Sequence, residues 1–286
     1  MNNLAELAKE VRKNTLACIV SDGVGHVGGC LSAADVLTAL YFKHMKGRDP
    51  KNPQKEGRDR LVCSKGHAGP VLYAILAMQG YFSKEELLTL NQPHTRLPSH
   101  CDMNKTPGID MTAGSLGQGL SCAVGIAMAS KLKKDGARVY AVLGDGESQE
   151  GEVWEAAMFA GNRKLDNLIA FLDYNKCQVD GTVDQICDIA PVDKKWEAFN
   201  WNVINVEDGN DMVQVDNAIT EAKKHKGGPT MVILNTVKGK GVSFVEKLSA
   251  ANHHINFSAE DLRRAVYEID GGKAETFDSN KQFENI

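Results

Sequence analysis

The feature that most constrains this chain is the tetrapeptide Gly144-Asp145-Gly146-Glu147, which closes an apolar run and is answered by Asn175 thirty positions after Asp145. The run Val139-Tyr140-Ala141-Val142-Leu143 is short, apolar and partly β-branched, so it reads as a buried strand. The glycines on either side of Asp145 permit a sharp turn and a close approach of a ligand to the backbone. Trp154, Ala157, Met158 and Gly161 then recur at helical spacing, and a second apolar run, Leu168-Ile169-Ala170-Phe171-Leu172, leads into Asp173-Tyr174-Asn175. In a parallel sheet both strand ends lie on the edge where open α/β sheets bind ligands. Asp145 and Asn175 are therefore expected to meet around one ion. A carboxylate and an amide oxygen, with phosphate oxygens completing the shell, suit Mg²⁺. Asp-Gly by itself is a common turn dipeptide, so the reading rests on the whole ordered set.

The rest of the sequence narrows the class. A chain of 286 residues holds one large α/β domain or two small ones. No repeat, low-complexity tract or Pro/Gly/Ser linker divides it, so one domain over residues 1–286 is expected. A net charge of −4 and a pI near 6.1 argue against nucleic acid or an anionic membrane as the main partner. No apolar stretch approaches the ~20 residues that span a bilayer, and Met1-Asn2-Asn3-Leu4-Ala5-Glu6 has no secretory core. The seven cysteines are scattered and form no C-x-x-C pair, which points to a reducing, cytoplasmic setting.

Along the chain, Leu4–Ile19 reads as an amphipathic helix, followed by a glycine-rich loop around His26 and a helix over Ala33–His44. Leu61-Val62-Cys63 is a short strand ending in Ser64-Lys65-Gly66-His67, before a helix over Val71–Met78. Ser83 to Glu86 form a capping box. Residues 91 to 119 form a long irregular segment, which in a compact domain is functional or disordered. It holds His94, His100 and Gly114-Ser115-Leu116-Gly117-Gln118-Gly119, then a helix over Leu120–Lys134 with a face of small residues that implies close packing. Further strands are expected at Trp201–Val206 and Thr230–Asn235, and helices at Asp211–His225 and Ala259–Ile269.

The histidines are the most informative side chains. His26, His67, His100 and His253 all fall in glycine-rich or polar loops beside strands or helices. Imidazole titrates near neutral pH and both donates and accepts hydrogen bonds. A group of them suits a polyhydroxylated substrate whose hydroxyl protons must be held and moved. His44 and His225 fall in expected helices and receive no chemistry, and His94 and His254 stay open. Gly114 to Gly119 is spaced G-x-x-G-x-G without a clear preceding strand, so it is a poor dinucleotide-binding fingerprint, and no P-loop exists. The acidic set Glu147, Glu150, Glu152 and Glu155 also fits dipole complementarity in a first turn. Lys238 and Lys240 are either solvated or face a diphosphate or a phosphorylated sugar.

The set from Gly144 to Asn175 resembles the thiamine diphosphate motif. Together with the loops at His26, His67, His100, Gly114 to Gly119, Asp180-Gly181 and Lys238-Gly239-Lys240-Gly241, it resembles the transketolase family over nearly the whole chain. The resemblance implies an α/β fold: a single thiamine-diphosphate-binding domain with a mostly parallel central sheet flanked by helices. It implies Mg²⁺, with Ca²⁺ or Mn²⁺ as substitutes, on Asp145, Asn175 and the Cys177 carbonyl. Cofactor contacts are implied at His67, Gly114, Leu116, Gly146, Glu150, Asn175, Val179 and Val237, and sugar contact and proton relay at His26, His67, His100 and His253. Glu150 and Glu155 are implied at an interface between two active sites. A whole transketolase is more than twice as long, so the resemblance is to the N-terminal subunit of a split enzyme. Its pyrimidine-binding and C-terminal domains would lie on a partner chain in a heterotetramer acting on sugar phosphates. The alternative is a subunit of another thiamine diphosphate enzyme, resembling 1-deoxyxylulose-5-phosphate synthase or a 2-oxo acid dehydrogenase. Two departures, Ser99-His100-Cys101-Asp102 where His-Pro is usual and His253-His254 where His-Gly is usual, sit where the donor sugar would bind.

Overall fold

The structure, a computed structural model, describes residues 3–278. The chain opens with helix α1 (Leu4–Val20), strand β1 (Val24–Gly25), helices α2 (Val27–Ser32) and α3 (Ala34–Ala39), and strand β2 (Arg60–Cys63). Helices α4 (Gly69–Met78) and α5 (Gln118–Lys133) precede strand β3 (Val139–Gly144), helix α6 (Gly151–Asn162) and strand β4 (Leu168–Tyr174). Short helices α7 (Val183–Cys187) and α8 (Val192–Ala198) lead to strand β5 (Asn202–Val206), helix α9 (Met212–Ala222) and strand β6 (Thr230–Asn235). Helix α10 (Ser243–Glu246), strand β7 (Ile255–Asn256) and helix α11 (Ala259–Ile269) follow.

Strands β2, β3, β4, β6 and β5 form one five-stranded sheet in that order, and every pairing is parallel. Successive side chains point to opposite faces, and both faces are covered. Tyr140, Val142, Ile169, Phe171, Val232 and Leu234 enter a core shared with α1, α3, α4 and α9. Val139, Ala141, Leu143, Leu168, Ala170 and Leu172 enter a second core shared with α5, α6 and α8. Burial on both faces is why these strands read as continuous apolar runs and not as alternating ones.

The expected elements are present within a few residues, and the Ser83–Glu86 capping box opens a 3₁₀ turn over Lys84–Thr89. The helix expected over Ala33–His44 stops as an α-helix at Ala39, and Leu40–His44 continues as a wider π turn. That turn carries Lys43 and His44 to Asp216 of α9, at 2.6 and 2.8 Å. The small-residue face of α5 divides: Gly119 packs on Ser64, whereas a Cβ on Gly125 would meet nothing within 4 Å. Helices α7, α8 and α10 and the antiparallel ribbon β1–β7 were not legible, being too short to show a period. The ribbon pairs Val24 with Asn256 and Gly25 with Ile255, and so ties the loop of His26 to that of His253 and His254. No described helix is long and apolar enough to cross a membrane.

Candidate active site

Parallel strands deliver their C-terminal ends to one edge, and four of the five do so here with polar side chains. β2 runs into Ser64, Lys65 and His67, β3 into Asp145, β4 into Asn175, and β6 into Thr236 and Lys238. Between them lies a cavity of about 240 Å³ whose wall includes Lys65, His67, Asp145, Asn175, Cys177 and Lys238. Its position is the one that an open α/β sheet provides for ligands.

Asp145 is 2% exposed. One carboxylate oxygen accepts the Gly146 N–H at 2.8 Å and the other the Lys176 N–H at 2.5 Å. Burial, and then the neighbouring charge of Asp173, push its pKa up to about 6. The Asn175 Oδ1 accepts the Cys177 N–H at 3.1 Å, and the Cys177 carbonyl accepts from Lys238 Nζ at 3.4 Å. Lys238 is buried, and burial followed by repulsion from Lys65 lowers its pKa to about 8. Carboxylate, amide and backbone carbonyl are hard oxygen donors, and they share this wall. Buried Asp145, Asp173 and Glu147 outnumber buried Lys65 and Lys238, an acidic excess that a hard divalent cation offsets. The residues therefore fit such an ion. Among the described residues no three His, Cys, Asp or Glu side chains gather as a metal site. The set above draws on only one carboxylate.

Two buried carboxylates organise the floor. Glu147 accepts from the hydroxyl of Ser64, from the Gly117 N–H at 3.0 Å and from the Gly144 N–H at 3.0 Å. It thus pins the end of β3 to the start of α5, where Gly117 adopts φ +93°, a conformation that glycine takes readily. Asp173 is fully buried and accepts from Lys65, Ser32 and Thr236.

Above the cavity stands a group of imidazoles centred on His26. Its ring centroid lies 5.4 Å from that of His67, 5.3 Å from those of His100 and His253, and 4.6 Å from that of His254. His67 and His253 are 5.0 Å apart. Burial, and then the surrounding imidazoles and Lys238, lower His26 to about 3. Burial, then Lys238 and Lys65, lower His253 to about 4. Burial also holds His67 well below the usual imidazole range, and His100 below it with His254 adding to the shift. These rings are neutral at pH 7, so each can accept a hydrogen bond at one nitrogen and donate one from the other, and none serves as a fixed cation. Lys238 Nζ lies 3.4 Å from His253 Nδ1. An ammonium only donates, so this nitrogen accepts and the ring proton sits on Nε2.

The structure brings His26, His67, His100 and His253 together, and places His67, Leu116, Gly146, Glu150, Asn175 and Val179 on the cavity wall with Asp145 and Cys177. Gly114 lies outside that wall, against the His100 ring, which is 3.7 Å from where its Cβ would be. Val237 is also off the wall, exposed, with its N–H on Asn210 at 2.8 Å. Glu155 is exposed on α6. No local pattern in the sequence assigns a role to Lys65, Asp173, Ser64 or His254. For Lys65 and Ser64 the only signal was adjacency to the His67 loop, and for His254 adjacency to His253.

Residues 4–283 match the family model for the transketolase thiamine diphosphate binding domain. The chain is 53% identical over 268 residues to the 6-deoxy-6-sulfo-D-fructose transketolase subunit SqwG of Clostridium sp. (strain MSTE9), covering 94% of this chain and 96% of that one. It is 38% identical over 260 residues to an apulose-4-phosphate transketolase subunit of Phocaeicola vulgatus, covering 90% of each. The solved transketolase of Campylobacter jejuni superposes with a TM-score of 0.87 at 32% identity, covering 98% of this chain but 44% of that one. The strand-end carboxylate and amide, the imidazole group and these likenesses agree: the chain belongs to the transketolase family, as its thiamine diphosphate binding domain.

Proposed function

We propose that this chain is the N-terminal half of a split transketolase. It would transfer a two-carbon ketol unit from a ketose to an aldose, in the cytoplasm, together with a C-terminal subunit on a separate chain. One observation carries the division: the chain spans 96% and 90% of two relatives named as subunits but 44% of the solved Campylobacter jejuni chain. A heterotetramer of two copies of each chain is the assembly expected.

Asp145, Asn175 and the Cys177 carbonyl would hold Mg²⁺, with Ca²⁺ or Mn²⁺ able to replace it. His67, Gly114, Leu116, Gly146, Glu150, Val179 and Val237 would meet the cofactor. When bound, thiamine diphosphate supplies the carbon nucleophile and electron sink that ketol transfer needs. The protein supplies position and proton movement. Neutral His26 stands about 5 Å from His67, His100 and His253, a spacing at which neighbouring hydroxyls of one sugar can each find an imidazole. Protonated Nε2 of His253 would donate to a sugar oxygen, and its Nδ1 would stay held by Lys238. The donor we infer is a ketose with an anionic far end. The first to test is 6-deoxy-6-sulfo-D-fructose, the sugar named for the 53% identical relative, followed by xylulose 5-phosphate and fructose 6-phosphate.

The test is a ketol-transfer assay with an aldose phosphate acceptor, thiamine diphosphate and Mg²⁺, run on this chain alone and with the subunit encoded beside it. Transfer only in the mixture is the expected result. Transfer by the single chain would overturn the division, and consumption of pyruvate in place of a ketose would overturn the reaction class.

A further inference from the structure

Asp173 takes no part in the proposed transfer, yet it is fully buried at the end of β4 and four side chains donate to it. Ser32 Oγ lies at 2.6 Å, Thr236 Oγ1 at 2.5 Å and Asn175 Nδ2 at 3.3 Å, and Lys65 completes the set. Lys65 also donates to the Gly29 carbonyl at 3.0 Å, which ties Asp173 to helix α2. The contact with Asn175 is the informative one. A carboxylate here accepts hydrogen bonds and does not donate, so the amide nitrogen of Asn175 must face Asp173. At the other end of the same amide the Cys177 N–H, which only donates, lies 3.1 Å from Oδ1. Two neighbours of opposite polarity thus impose one orientation on a group that could otherwise sit either way round.

That orientation turns the amide oxygen toward Cys177, which lines the cavity together with Asp145 and Asn175. We propose that Asp173 is a positioning residue of the metal site: it holds the Asn175 amide so that its oxygen, and not its nitrogen, faces the cation. This inference rests on the reading of Asp145 and Asn175 as metal ligands. Groups that orient a ligand from behind are worth about 10–100-fold in metal affinity.

The experiment is Mn²⁺ titration by electron paramagnetic resonance of the complex formed with thiamine diphosphate and the partner subunit, with thermal melting followed in parallel. Lys65→Met/Asp173→Asn removes the carboxylate that faces the amide together with its buried ammonium partner, so no unpaired charge is left buried and the net charge beside the cation is unchanged. The Asn175 amide then loses the acceptor that fixes its nitrogen. We expect this pair to weaken Mn²⁺ by about 10–100-fold while its melting temperature stays close to that of the wild type. Mn²⁺ held by the folded pair as tightly as by the wild type overturns the proposal. Should the pair fail to fold, pulsed paramagnetic resonance of the wild-type complex carrying ¹⁵N in its asparagine side chains decides: a side-chain nitrogen bound directly to Mn²⁺ overturns the proposal. If the complex carrying Asp145→Ala binds Mn²⁺ as tightly as the wild type, the metal-site reading itself falls and this inference with it.

Discussion

A half-buried imidazole among other imidazoles is a poor place for a positive charge, and His26 and His253 pay this cost at about 3 and about 4 on the pH scale. The result is useful chemically, because a neutral ring accepts a hydrogen bond at one nitrogen and donates one from the other. His253 is the better placed of the two, since it lines the cavity at the strand ends and its tautomer is set by Lys238. His253→Ala should lower ketol transfer by more than about tenfold, given the ~10²–10⁴ share of a positioned general acid–base group. Cofactor affinity, read from fluorescence quenching, should persist. Unchanged turnover would remove His253 from the reaction.

At the scale of elements, the site depends on how closely α5 approaches the end of β2. A Cβ on Gly119 would lie 2.2 Å from Ser64 Oγ and 2.7 Å from Ser64 Cα. Backbone as well as side chain would have to shift, and with it the hydroxyl that Ser64 donates to Glu147. Gly119→Ala should therefore destabilise the chain by about 1–3 kcal/mol, the usual cost of overpacking. Gly125→Ala, in the same helix with open space around it, should stabilise by about 0.5–1 kcal/mol. Denaturant melts of the two variants check this, and equal effects would refute the close approach. The β1–β7 ribbon acts at the same scale. It has only two residues on each side, yet it brings the His26 and His253 loops together although they are distant in sequence.

For the molecule as a whole, the titrating groups set how stability follows pH. His26, His44, His67, His100 and His253 have folded pKa values lowered from 6.5. As pH falls through 6.5 the unfolded chain gains protons that the folded one refuses, so stability is lost progressively toward about 4 and about 3. Asp145 and Glu147, whose folded pKa values are raised by burial, act in the opposite sense. Five imidazoles against two carboxyls give a net loss in acid. The melting temperature of the cofactor-free chain should fall between about pH 7 and about pH 5, and fall less in His26→Leu. Equal slopes for the two proteins would refute the lowered pKa of His26. What the sequence determined by itself was local. Apolar runs at Val139–Leu143, Leu168–Leu172 and Thr230–Asn235 are spelled by neighbours, and once they are parallel strands their ends must share an edge. That is why Asp145 and Asn175 could be expected at one edge of the sheet. The tertiary structure alone decided that Lys65 and Asp173 are buried against each other, that Ser64 serves Glu147, and that His254 stands against His26. Burial and pairing belong to partners far apart in sequence, as Lys65 and Asp173 are, and no local pattern encodes a contact that only the folded chain brings into reach.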